Sequence, residues 1–339
     1  MVVTGSIETV DPGELAKFTG ANNLRYARSY LAATTVGNHA LFAGGVNDTY
    51  TSADIVDSYD NTLTKSAPTG LCIARYCIAA TTVGYYALFG GGINSFNLDT
   101  VDAYDFELTR LIPTRLGEEK YLLDATTVGS YALFAGGSAS NIHSSSVDSY
   151  TDTLTRSAAP ALSIGRSNLA ATTVGDYALF AGGRSSIGYS DVVDHYNTSL
   201  TKGTTTALSV KRAQVEATTI GLYALFAGGY TGTKYSNVDV YDITLASSRI
   251  VEDLSCQRHD LAATTVGNYA LFGGGSNTQS SIVDSYNNYL SKDTATPLSE
   301  GRYGLSATTV GDYAIFAGGE GSEELPGVRA LVDVYTIKK

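Results

Sequence analysis

A chain of 339 residues with 43% hydrophobic residues can bury a core, and its net charge of −11 argues against a duplex nucleic-acid binder, which needs a dense basic surface. Three cysteines, Cys72, Cys77 and Cys256, share no C-x-x-C spacing and read as small buried apolar residues rather than a disulfide framework. The opening MVVTGSIETVDPGEL has no basic n-region, and no apolar run reaches membrane length, so neither a leader nor a span is expected and the cytoplasm is the default compartment.

Residues 1–12 read as a tail. From about Gly13 to Arg28, GELAKFTGANNLRYAR resembles the end of a repeat whose beginning is missing: Leu15 stands 13 residues before Arg28, as Leu63 stands 12 before Arg75. Then the repeats begin. Thr-Thr pairs start at Thr34, Thr81, Thr126, Thr172, Thr218, Thr264 and Thr308, at steps of 47, 45, 46, 46, 46 and 44 residues. Glycine doublets follow at Gly44, Gly91, Gly136, Gly182, Gly228, Gly274 and Gly318, and each is followed by Val-Asp-x-Tyr, first at Val56–Tyr59 and last at Val332–Tyr335.

Each unit predicts four strands. LAATTVG is short and β-branched, G-N-Y or G-D-Y marks a tight turn, and YALFAGG is an apolar second strand. VDSY is the third strand, and the fourth is expected to start at a leucine four residues past the tyrosine, as at Leu63. No segment has helical periodicity. Four antiparallel strands in about 45 residues predict a propeller blade, so the expectation is a single all-β domain over residues 13–339, a seven-bladed β-propeller. Small Ala and Thr fit the crowded inner strand, and Leu and Phe fit the faces between blades. The chain stops after the third strand of the seventh unit, and residues 13–28 are expected to close the ring as that blade's outer strand.

The glycine doublet after ALFA, the later tyrosine and a basic residue ahead of each unit resemble the kelch-repeat family, over about residues 13–335. The fourth-strand tryptophan of that family is absent here, with Leu63 and its equivalents taking over the packing. The resemblance implies a kelch-like propeller used for interaction more often than for catalysis.

Six residues before each Thr pair stands a cation: Arg28, Arg75, Lys120, Arg166, Arg212, Arg258 or Arg302. These positions lie in the loops between blades, around one mouth of the channel. They read either as an anion-receptive rim or as side chains that bond carbonyls of a neighbouring blade and lock the ring. Beside them, Tyr76, Tyr121, His259 and Tyr303 vary from blade to blade. The loops after the glycine doublets add Tyr50, Tyr189, Tyr230 and Tyr235 among Ser, Asn and Gly, the residues favoured by recognition loops. The tyrosines of Val-Asp-x-Tyr are expected to pack with satisfied hydroxyls, and their aspartates to lie too far apart to share a metal.

No enzyme motif is present: the four histidines have no ligand spacing, and there is no G-x-S-x-G or Walker sequence. The reading is therefore a non-catalytic, cofactor-free and monomeric binding scaffold. The partner is a protein or acidic peptide on the basic face, or alternatively a carbohydrate. A structural subunit of a surface or phage-tail assembly is the third alternative.

Overall fold

The computed structural model describes residues 13–140, 142–247, 251–277, 281–321 and 326–338; the tail expected over 1–12 and part of the long last loop lie outside them. In the first repeat the inner strand is Ala32–Val36, and Gly37 turns the chain at φ +55° into the second strand, His39–Ala43. Glycine adopts that left-handed φ without the Cβ clash other residues suffer. Val56–Asp60 and Lys65–Ser66 follow as third and outer strands, each antiparallel to the strand before it.

Six sheets have four strands in the order inner, second, third, outer. The fifth shows three among the described residues, Glu216–Ile220, Tyr223–Ala227 and Val238–Asp242, with residues 248–250 outside them. Each inner strand lies beside that of the next sheet, and the seventh returns to the first. The fold is an all-β, seven-bladed propeller. The last blade is closed by the start of the chain, as expected: Leu15–Phe18 pairs antiparallel with Val332–Ile337, Leu15 opposite Ile337 and Phe18 opposite Val334.

The core is divided into seven clusters, each between two blades. Leu41, Ala43 and Val56 of the first blade meet Ala87, Phe89 and Tyr104 of the second, while Ile315 and Val334 of the last meet Ala40, Phe42 and Tyr59 of the first. Phe42 and Tyr59 pack edge to face at 6.0 Å, a favourable aromatic geometry. The Tyr59 hydroxyl donates to the Asn22 carbonyl at 2.8 Å, and its six equivalents also donate to backbone carbonyls, so these tyrosines are packing residues.

The outer strands do not begin at the leucines expected to start them: Leu63, Leu108, Leu154, Leu200, Leu245 and Leu290 all sit in turns at φ between +57° and +64°. Leu63 is not the first residue of the outer strand: it sits in the turn at φ +62°, and the strand starts at Lys65. A left-handed leucine costs about 1–3 kcal/mol. Its side chain is 6% exposed in the cluster between the last and first blades, and that burial offsets the strain.

Candidate functional site at the channel mouth

The seven cations point inward. Arg28, Arg75, Lys120, Arg166, Arg212, Arg258 and Arg302 are all 0% exposed. Each pairs with the aspartate of Val-Asp-x-Tyr in the blade it leads into. Arg28 meets Asp57 at 2.8 Å, Lys120 meets Asp148 at 3.1 Å and Arg258 meets Asp284 at 2.7 Å. The guanidinium of Arg28 also donates to the Phe42 carbonyl at 3.0 Å. Burial draws the Arg28 pKa down, against the opposing pull of Asp57.

The backbone carbonyl of the same residues faces the preceding blade. The Arg75 carbonyl accepts from the Gly45 amide at 3.0 Å, and a Cβ on Gly44 would lie 2.5 Å from that oxygen. This close approach requires the glycine doublet. The cations are therefore not an anion-receptive rim: a charge buried this deeply must be paired, and these are paired within the fold. The outer strands supply a second cation to most of these aspartates, for example Lys202 to Asp194 at 3.2 Å.

The two loop sets do share one face. Short antiparallel bridges join Ser29 to Val46, Tyr76 to Ile93, Tyr121 to Ser138 and Ala213 to Tyr230. The variable residues named from the sequence lie on this face. Tyr50 is 84% exposed, and Tyr76, Tyr121, Tyr189, Tyr230, Tyr235, His259 and Tyr303 are half-buried. Tyr230 and His259 pack with ring centroids 4.9 Å apart and planes tilted by 48°, and the Tyr235 hydroxyl lies 2.9 Å from that of Thr231. Tyr189 pairs with Arg184 in a two-residue ribbon.

Inside this face lies a ring that sequence reasoning missed. Tyr30, Cys77, Leu122, Asn168, Gln214, Asp260 and Gly304 occupy one position per blade, all with φ between +52° and +60°. Their backbones link around the axis: Tyr30 N donates to Gly304 O at 2.8 Å, Cys77 N to Tyr30 O at 3.1 Å and Gln214 N to Asn168 O at 2.9 Å. The backbone repeats, and the side chains do not. They surround a cavity of about 210 Å³ on the axis. Burial pushes the Cys77 thiol up to about 12, so it stays protonated at neutral pH. Gly304 leaves room for Tyr30, whose ring would lie 3.2 Å from a Cβ there.

One residue deeper, the inner strands begin with Ala32, Ala79, Asp124, Ala170, Glu216, Ala262 and Ser306. Asp124 and Glu216 both line the cavity. Asp124 accepts from the amides of Ala125 at 2.8 Å and Ala171 at 2.6 Å, yet burial raises its carboxyl to about 7. Burial also raises Glu216 well above the usual carboxylate range, and repulsion from Asp124 adds to it. A column of alanines broken by two acids was the available signal, visible only when units are compared with one another. Deeper still, paired threonines from every blade line the channel; Thr82 Oγ1 donates to the Thr35 carbonyl at 2.6 Å and lies 2.9 Å from Thr34 Oγ1.

Fold and site together define a closed propeller with a chemically uneven mouth. In a comparison with solved structures, 698 chains match it. One of them, titled "Structure of YjhT", superposes with a TM-score of 0.60 over 94% of this chain and 99% of its own, at 12% identity. At that identity the likeness carries the fold alone. No protein-family model matches the chain, and no curated protein does.

Proposed function

We propose that this protein is a non-catalytic, kelch-like binding module whose ligand, a segment of a protein partner, enters the channel mouth on the loop face. The observation that carries the reading is the ring of seven residues with one backbone conformation and seven different side chains, around a cavity of about 210 Å³. A purely structural ring would be served by one residue repeated. The exposed Tyr50 and half-buried Tyr76, Tyr121 and Tyr303 extend the surface outward with rigid aromatic area. An acidic peptide gains nothing from the seven buried cations, so partner charge is set by the mouth.

Carbohydrate is the second reading. It is favoured by the amide and carboxylate wall of Asn168, Gln214 and Asp260, in which Gln214 Nε2 already donates to Asp260 at 2.9 Å.

The test is a peptide-display screen and a glycan array with the intact protein and an Asn168→Ala/Gln214→Ala variant of matched Tm. A ligand lost from the variant supports the mouth, and its class selects between the two readings. A ligand bound equally by both proteins places the site elsewhere and overturns the proposal, as does the absence of any ligand.

A further inference from the structure

We infer that the channel mouth recognises an organic cation, an ammonium head on a short apolar tail; this deepens the binding-module reading and rests on it. Three observations meet at the cavity. The first is a missing countercharge. The buried aspartates of the blades hold cations, as Asp57 holds Arg28 at 2.8 Å and Asp333 holds both Arg302 and Lys17. Asp124 is held by two backbone amides only, and among the described residues no cationic side chain lines the cavity.

The second is that the fold has no need of these acids. Five of the seven blades carry Ala or Ser at the position of Asp124 and Glu216, on the same strand with the same hydrogen-bond register. Two inward-facing carboxyls held by backbone amides alone, in a site where alanine suffices, lower stability, and a cationic ligand would supply the countercharge they lack.

The third is the rest of the wall. Tyr30, held over Gly304, lines the cavity in a blade that carries neither acid, and the apolar Leu122 lines it beside Asp124. A tyrosine face attracts a cation, and its apolar neighbours suit a hydrocarbon tail. A volume of about 210 Å³ admits a head group and a few carbons, with the rest of the ligand outside.

The titratable groups facing Asp124 across the cavity are Glu216, Asp260, Tyr30 and Cys77, with His259 behind Asp260 at 3.0 Å. Asp124 ionises near 7, so a cation competes with its proton, and affinity rises as pH passes upward through that value.

The experiment titrates phenethylammonium and its neutral isostere 2-phenylethanol into the intact protein by calorimetry, with amide chemical shifts as the site readout. The ammonium is expected to bind, shifting the amides of Ala125 and Ala171, and to tighten about tenfold between roughly pH 6 and pH 8. The alcohol should bind at least about tenfold more weakly. Asp124→Ala/Glu216→Ala, which restores the sister-blade residue, should lose the preference while keeping its fold. Asp124→Asn, nearly isosteric, should weaken the pH dependence and leave only the part that Glu216 supplies. Equal affinity for the two probes, no binding of the ammonium, or an unchanged preference in the double variant overturns the inference. If it falls while a peptide or glycan from the screen above still depends on Asn168 and Gln214, the mouth remains the binding site and only the cation class is wrong.

Discussion

Lys17 Nζ lies 2.6 Å from Asp333 Oδ1 and joins the first strand of the chain to the last. The other oxygen of the same carboxylate takes Arg302 at 2.8 Å, so one aspartate ties the closing strand, the third strand and an inter-blade loop together. Burial opposes ionisation of Asp333, but Arg302 and Lys17 outweigh it and hold the carboxyl below its usual range. A depressed carboxyl contributes stability that is present above its unfolded value and lost as pH falls through the folded one. Acidification below about pH 4 should therefore loosen the closing strand. Hydrogen exchange at the amides of residues 15–18, followed on lowering pH, checks this; protection unchanged relative to other blades' outer strands would refute it.

The buried cations should behave as structural elements. Arg258→Ala leaves Asp284 with Lys292, at 3.4 Å, as its cation beside the Ser255 amide and hydroxyl, and should cost about 3–5 kcal/mol in urea unfolding. Arg258→Lys should cost less, because Lys120 shows an ammonium holding the same position. Equal losses for the two variants would mean that charge pairing is not what the site needs.

Gly44→Ala should destabilise the protein by about 3 kcal/mol, from a left-handed φ of +67° and from the Arg75 carbonyl only 2.5 Å from the new Cβ. Gly188→Ala is the control: its φ of +118° is also left-handed, but nothing stands within 4 Å. Thermal unfolding should separate the two by several degrees.

Asp124→Ala should raise Tm more at about pH 8 than at about pH 5. The folded-state pKa of Asp124 is raised, so the folded form keeps a proton that the unfolded chain releases. Stability lost to this group accordingly grows between the unfolded value and about 7, then levels off. A rise of equal size at both pH values would point to packing instead.

The architecture was legible because one pattern is written seven times: a Thr pair, a glycine doublet and a Val-Asp-x-Tyr, at nearly constant steps. The closing strand was legible for the same reason, since Leu15 keeps the spacing of Leu63 to within one residue. The direction of the basic side chains was not. Arg28 and Asp57 stand 29 residues apart, and nothing local says that one reaches the other. Leu63 misled because burial, a tertiary effect, holds it in a backbone region that its shape disfavours. Asp124 and Glu216 were hidden by attention to what recurs; they matter as exceptions.

The backbone of the mouth returns to itself after every blade, so a ligand reading only the backbone could sit in seven equivalent orientations. The side chains remove that freedom. Gln214, Glu216 and Asp260 lie on one arc and Tyr303, Tyr30 and Tyr76 on the other, with Asp124 and Tyr121 together in the third blade. The mouth thus has a compass bearing: whatever enters can be turned to only one heading, and anything attached to it leaves the face in a defined direction.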